Sequence, residues 1–350
     1  MGTVQVNGLQ MRFGDFLALP DISVSVDEGE FVTLLGPSGC GKTTLLKLIS
    51  GFLKPTAGTI HIAGKEVTHV PPETRDTAMC FQSYALFPHL SVRENLEFGL
   101  RQKRIAAAER DQRLDRVAEQ LKLGPQLEKL PNQLSGGQQQ RVALGRALIM
   151  RPTVILFDEP LSNLDAKLRD TVRMEIRRIQ KDYNLTAIYV THDQSEALAL
   201  SDRVMIMNGG RIEQIASPEE LYWSPRTSFV ADFIGGANVL DAEVIGGKGE
   251  DHWVLSTPLG ELVAASGTEP KSKKIKICWR PEVVQPDGNG PNRIETQISE
   301  RSFQGSFTDL FFTAAEQTFR VQLPEPTVRS GENLAFSIRP QDIVMLESMQ

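Results

Sequence analysis

Nine residues, Gly36-Pro37-Ser38-Gly39-Cys40-Gly41-Lys42-Thr43-Thr44, carry the densest chemistry in the chain. Glycines at 36, 39 and 41 let backbone N–H groups curl around a triphosphate, Lys42 reaches its outer phosphates, and the Thr43 hydroxyl is placed to ligate Mg²⁺. The pattern is a P-loop. Farther on, Asp158-Glu159 follows the apolar run Val154-Ile155-Leu156-Phe157, and His192 follows Thr186-Ala187-Ile188-Tyr189-Val190. Asp158 is a candidate Mg²⁺ ligand and Glu159 a candidate base for a water attacking the γ-phosphate. Two adjacent acids at a turn are usually only solvated, and a lone histidine is usually structural. Their emergence from strand ends alongside a P-loop favours chemistry for all three.

These groups need a frame. Phe31 to Leu35 reads as the strand before the P-loop and Leu45 to Ile49 as the helix after it, so the bound anion would sit at a helix N-terminus. Asp76 to Gln82, Val154 to Phe157 and Thr186 to Val190 are further strands, whose carboxyl edge is where ligands of open α/β sheets bind. Gln82 ends one of them. Val4 to Val6 and Ile22 to Val26 alternate as half-buried antiparallel strands. Between those two, Phe13 precedes Gly14, where an aromatic is either a core residue or a platform for a purine ring. From Ser91 to Leu123 the period is helical, with Ser91 and Glu94 spaced as a capping box. Leu134-Ser135-Gly136-Gly137-Gln138-Gln139-Gln140-Arg141 opens another helix, with Ser135, Gly136 and Gly137 forming a second anion seat. Tyr84 to Leu90 is apolar, contains Pro88, and reads as an exposed docking surface.

Composition sets the outer limits. The 350 residues are 40% hydrophobic and 23% charged, and the net charge is −6. That balance suits two soluble globular domains and gives no footprint for nucleic acid. Cys40, Cys80 and Cys278 lack metal-ligand spacing and suit a reducing compartment. The amino terminus has no signal-peptide pattern, and no run of about 18 apolar residues spans a bilayer. Beyond Gly235-Gly236 short alternating strands dominate, the mark of a small all-β domain. Within it Lys274 to Arg280-Pro281 is echoed by Asn333 to Arg339-Pro340, which is either an internal duplication or coincidence.

Taken together, Gly36 to Thr44, Gln82, Leu134 to Arg141, Val154 to Glu159, Ser162-Asn163-Leu164-Asp165 and His192 resemble, in order, the motifs of the ATP-binding subunit of an ATP-binding-cassette (ABC) transporter. The resemblance runs from residue 3 to about 346. It implies an α/β P-loop NTPase cassette over residues 1–235, with a helical subdomain at about 83–150, followed by a small all-β OB-like (TOBE) domain over 236–350. ATP and Mg²⁺ are the implied cofactors. The resemblance assigns Phe13 to adenine, Gly36, Ser38, Gly39, Cys40, Gly41, Lys42, Thr43 and Thr44 to phosphate, and Thr43, Gln82 and Asp158 to Mg²⁺. Glu159, His192 and Gln82 are the implied catalytic set. Ser135, Gly136 and Gly137 would close on ATP held by a second copy of the chain. Gly145 stands where relatives commonly have alanine, which should cost some helix stability. Membrane permease subunits would dock near Tyr84 to Leu90, and a solute-binding protein would act indirectly. The expected place is the cytoplasmic face of the inner membrane, as a peripheral subunit. The β-domain and the tail ending in Leu346 resemble importers of the ferric-iron, polyamine or phosphonate type, with the sugar type as the alternative. A soluble, non-transport ABC ATPase is the remaining alternative.

Overall fold

A computed structural model describes residues 2–347 except Glu250, Lys271 and Asp287. In chain order the first unit contains β1 (Val4–Phe13), β2 (Phe16–Val26), β3 (Phe31–Leu35), α1 (Lys42–Ser50), β4 (Ala57–Ile62), β5 (Lys65–Glu66), β6 (Thr77–Cys80), α2 (Val92–Gln102), α3 (Ala107–Gln120) and α4 (Gly136–Leu148). It continues through β7 (Val154–Asp158), α5 (Ala166–Asp182), β8 (Thr186–Val190), α6 (Gln194–Leu200), β9 (Arg203–Asn208) and β10 (Arg211–Ala216). Six strands form one sheet in the order β10-β9-β3-β8-β7-β6. All its pairs are parallel except the β9–β10 hairpin at the edge. The central strands β3 and β8 are buried along their whole length, as expected of parallel strands covered on both faces.

A second, antiparallel sheet has the order β2-β1-β4-β5. Its long strands exceed the short alternating stretches read from sequence because register shifts between Val6 and Arg12 break the alternation. The helical subdomain is present as α2, α3 and α4, which share one apolar core with the sheet through Leu96, Leu114, Val142 and Phe157. Ser91 caps α2 and Glu94 closes the box. Gly145 has a packing reason: a Cβ there would lie 2.7 Å from Leu96 Cδ2 and 3.1 Å from Leu121 Cδ1, so its glycine admits α2 and the end of α3 against α4.

The chain splits into two compact units between Pro218 and Glu219. The cause is Arg280, only 4% exposed, whose guanidinium donates to the carbonyls of Tyr222, Ala231 and Ile234. It thereby fastens the helices α7 (Pro218–Trp223) and α8 (Ser228–Phe233) to the β-domain. That domain contains β11 (Asn238–Gly247), β12 (His252–Thr257), β13 (Gly260–Ala265), β14 (Lys274–Trp279), β15 (Arg293–Gln297), β16 (Glu300–Phe303), β17 (Thr308–Ala314), β18 (Gln317–Leu323), β19 (Asn333–Ser337) and β20 (Val344–Leu346). They make sheets β13-β12-β11-β14-β20, β15-β19 and β16-β17-β18 around Trp279, Phe312, Phe319 and Phe336. Both Arg-Pro pairs end a strand and enter a single 3₁₀ turn, Pro281–Val283 and Pro340–Asp342.

Candidate functional site

The P-loop leaves β3 and opens α1. Gly41, at φ +101, is in a region closed to other residues, and a Cβ on it would meet Leu19 Cδ2 at 2.6 Å. A Cβ on Gly36 would lie 2.2 Å from the Met207 carbonyl oxygen. The loop is therefore wedged between β2 and β9. No side chain caps α1, whereas Ser91, Ser135, Asp165 and Asp193 cap α2, α4, α5 and α6. Its first amides have no side-chain acceptor, which suits a bound anion. Lys42 is 6% exposed, and its Nζ donates to the carbonyls of Gly36 at 2.7 Å and Pro37 at 2.9 Å. Cys40 is buried, with its sulfur 3.7 Å from that ammonium. Ser38 and Gly39 lie at the exposed crest of the loop, while Thr44 is half-buried one step inside α1.

On the carboxyl edge of the sheet, Thr43 Oγ1 donates to Asp158 Oδ1 at 3.4 Å. Burial raises the Asp158 carboxyl above its ordinary pKa and the Glu159 charge adds to this, against Lys47 and the Thr43 hydroxyl. Two hard oxygen donors converge here around an undercompensated carboxylate, so the residues present fit a divalent cation such as Mg²⁺. No group of three or more His, Cys, Asp or Glu suited to a metal occurs among the described residues.

Glu159 stands next to this pair with φ +45, a left-handed conformation rare outside glycine and asparagine. Its backbone N–H bonds the Val190 carbonyl at 3.0 Å, which ties the end of β7 to β8. The carboxylate Oε2 lies 3.1 Å from Nδ1 of His192. The ends of β7 and β8 thus open on one edge of the sheet.

Gln82 lies two residues beyond β6 and is exposed, and its carbonyl accepts from the Asn163 amide at 3.0 Å. The Gln82 side chain has no hydrogen bond to Thr43 or Asp158 among the described residues. Ser135 Oγ accepts from Gln138 N at 3.4 Å, and Gln138 Oε1 accepts from Ser135 N at 3.0 Å. Gly136 and Gly137 back onto Leu164 and Leu168, and a Cβ on Gly137 would lie 2.9 Å from Leu168. Within one chain no hydrogen bond joins Ser135, Gly136 or Gly137 to the P-loop among the described residues. Phe13, 46% exposed, pairs with Phe16 at the tip of the β1–β2 hairpin. Leu19, farther along β2, is the residue that meets Gly41, so the hairpin is anchored beside the loop.

The Tyr84 to Leu90 segment is less exposed than its composition suggests. Leu86 packs on the subdomain core, and the Phe87 ring meets the tilted Phe98 ring at 4.3 Å beneath the Arg146 guanidinium at 4.8 Å. Tyr84 and Ala85 are left-handed, at φ +61 and +46. Arg146 holds the Ala85 carbonyl, and the Asn95 amide brackets Phe87 and Leu90. The exposed aromatic nearby is Phe52, 5.9 Å from Phe81.

Sequence reasoning missed Arg169. On α5 it donates to Asp193 at 3.1 Å and to the Leu164 carbonyl at 3.2 Å, joining the segment after Glu159 to the one after His192. Buried Glu196 accepts from Tyr189 and Thr191 behind the same turn. The Arg169–Asp193 link spans 24 residues, beyond the reach of any local pattern.

A parallel sheet with an uncapped glycine loop on Lys42-Thr43 and an Asp-Glu-His group at its carboxyl edge defines a P-loop nucleotide-binding protein. The family model "ABC transporter" matches residues 19–162, and "TOBE domain" matches residues 277–346. The chain is 43% identical over 332 residues to a spermidine/putrescine import ATP-binding protein, PotA, of Pseudomonas aeruginosa, with 95% of this chain and 89% of that one covered. It is 41% identical to an sn-glycerol-3-phosphate import ATP-binding protein, UgpC, of a Ruegeria species, covering 99% and 97%. It is 44% identical to an Fe(3+) ions import ATP-binding protein, FbpC, of Agrobacterium fabrum, covering 87% and 86%. Among solved structures, cbiO1 of Clostridium perfringens, part of the ABC transporter complex cbiONQ, matches with a TM-score of 0.59 at 28% identity, over 63% of this chain and 90% of that one. The chain belongs to the ABC transporter family, with the P-loop cassette and carboxyl-terminal TOBE domain of its import ATP-binding subunits. No helix among the described residues is long and apolar enough to cross a membrane.

Proposed function

We propose that this chain is the ATP-hydrolysing subunit of an ABC importer and that two copies clamp ATP between them. The observation that carries the reading is the joint presentation, at one sheet edge, of Thr43 with Asp158 and of Glu159 with His192. Lys42 and the loop amides from Gly36 to Thr44 hold the phosphates, and Phe13 covers the adenine. Mg²⁺ held by Thr43 and Asp158, with Gln82 reaching in from its exposed loop, would offset phosphate charge. Glu159 accepts the proton of the attacking water. Its contact with His192 orients both side chains.

Ser135, Gly136 and Gly137 of the second copy close on the γ-phosphate, in keeping with their lack of hydrogen bonds to their own P-loop. The permease subunits dock at Tyr84 to Leu90, whose backbone Arg146 and Asn95 hold in place, and Phe52 extends that surface. The complex lies at the cytoplasmic face of the inner membrane and is served by a solute-binding protein. Relatives at 41 to 44% identity are named for polyamine, glycerol phosphate and ferric iron, so overall identity does not choose the solute. The ferric-iron, polyamine or phosphonate type is our reading, with the sugar type as alternative, resting on the carboxyl-terminal tail.

The test is Glu159→Gln. Removal of a general base should lower turnover by about 100-fold or more while ATP binding persists and the ATP-bound dimer accumulates on a sizing column. Unchanged turnover would refute the role of Glu159.

A further inference from the structure

A cavity of about 220 Å³ opens on the cassette between α3, the turn that follows α4, and the turn between α5 and β8. It lies at the edge where β7 and β8 begin, the opposite edge of the sheet from Asp158 and His192. Val117 and Ile149 are buried in its floor, and Leu148 and Leu185 are half-buried beside them. Around this apolar floor stand Arg113, Arg116 and Arg151, with the Tyr183 ring at the mouth.

The charges do not balance. Glu109 pairs with Arg113 at 2.5 Å, and Arg113 also donates to the Ile149 carbonyl at 3.3 Å. Neither Arg116 nor Arg151 has an ion pair or a side-chain hydrogen bond among the described residues. One unpaired surface arginine is ordinary. With Arg113 balanced by Glu109, the guanidiniums of Arg116 and Arg151 leave a net positive potential at the mouth of the cavity that would attract an anion. Arg151 also sits at φ +51, a left-handed conformation that glycine or asparagine adopts at lower cost. Arg104 and Lys122 take the same conformation in other turns that end helices, so the backbone bears on what can replace Arg151 and not on the choice of site.

We propose that this cavity binds a small amphipathic anion, with a compact apolar body on Val117, Ile149 and Leu185 and a phosphate or carboxylate between Arg116 and Arg151. The planar guanidinium matches such groups with paired hydrogen bonds, which a lysine would not provide. The volume is below the range that holds drug-sized ligands, so the body is a single ring or a short chain. Occupancy reaches the nucleotide machinery through α4, which begins at the Ser135 cap and whose last residue, Leu148, lines the cavity.

Phenyl phosphate is the probe. The full chain is first saturated with ADP and Mg²⁺, which keeps the probe out of the P-loop, and binding is followed by calorimetry. Saturable one-to-one binding is expected, with inorganic phosphate and benzylamine each at least tenfold weaker. Arg116→Gln and Arg151→Gly should each raise Kd at least tenfold, and Arg151→Gly should leave the melting temperature unchanged or higher because it relaxes the left-handed turn. The proposal is overturned if phenyl phosphate shows no saturable binding, if neither substitution weakens it, or if inorganic phosphate or benzylamine binds as tightly. Loss of the binding in Lys42→Ala with both arginines intact would place the probe in the P-loop and overturn it equally.

Discussion

Replacing Arg75 with methionine should destabilise the cassette by about 3 kcal/mol, although Arg75 touches no ligand. Arg75 is 4% exposed and donates to the carbonyls of Val70 at 2.8 Å, Leu48 at 2.8 Å, Ile49 at 2.6 Å and Thr68 at 3.2 Å. Leu48 and Ile49 belong to the last turn of α1, so the guanidinium closes the end of the helix that the P-loop opens. Methionine keeps most of the stem volume and removes every donor. The Leu48 oxygen retains the Gly51 N–H at 3.2 Å, which leaves the Ile49, Val70 and Thr68 oxygens without that donor. At about 1 kcal/mol for each lost bond the sum is about 3 kcal/mol, or a melting point about 6 to 12 °C lower for a unit of this size. Gly51 provides an independent check. It sits at φ +88, and a Cβ there would meet Arg75 Nε at 2.6 Å, so Gly51→Ala should expel the same guanidinium. The two substitutions act through one group and should not add: in the methionine background, Gly51→Ala should cost only its backbone penalty of about 1 to 2 kcal/mol. Urea unfolding of the single and double variants reads both quantities. A loss below about 1 kcal/mol for Arg75→Met, or fully additive effects, would refute the capping argument.

The remaining predictions concern the site. Ser135→Arg should cost about 1 kcal/mol through loss of the α4 cap, leave ATP binding by the single chain intact, and abolish the ATP-bound dimer on a sizing column. Loss of ATP binding by the single chain would contradict the assignment of Ser135 to the other copy's nucleotide. Burial holds the Asp158 carboxyl above its ordinary pKa in the folded state, so between the unfolded and folded pKa values the unfolded state binds fewer protons and stability falls as pH rises. Asp158→Asn should therefore raise the melting temperature of the nucleotide-free protein at pH 7, and the gain should disappear below the unfolded pKa. A gain that persists unchanged at pH 3 would point to packing instead of charge.

Local chemistry was the legible part of the fold. The P-loop and the Ser91 capping box each lie within a few residues and appear where their spacing puts them. The parallel strands were legible because burial on both faces makes them continuously apolar. In the β-domain β13, β16, β18 and β20 went unread, and β20 has only three residues in which to show a period. The packing of α7 and α8 was not legible for a similar reason: Arg280, 46 residues beyond Ile234, holds both helices. In the candidate site the residue types were legible, whereas their contacts were not. Glu159 meets His192 only because β7 and β8 pair in parallel, and the left-handed turn at Glu159 has no glycine to announce it. The apolar character of Tyr84 to Leu90 was read as exposure, but Phe98 and Arg146, distant in sequence, cover part of it.

The central claim is that this chain energises import through membrane partners. Its most direct test is a pull-down with the full chain as bait from detergent-solubilised membranes of its source, followed by mass spectrometry and ATPase assay. The account predicts multispanning permease subunits that co-purify and are displaced by substitutions in Tyr84 to Leu90. Recovery of soluble partners alone, with ATPase activity undiminished in their absence, would contradict it.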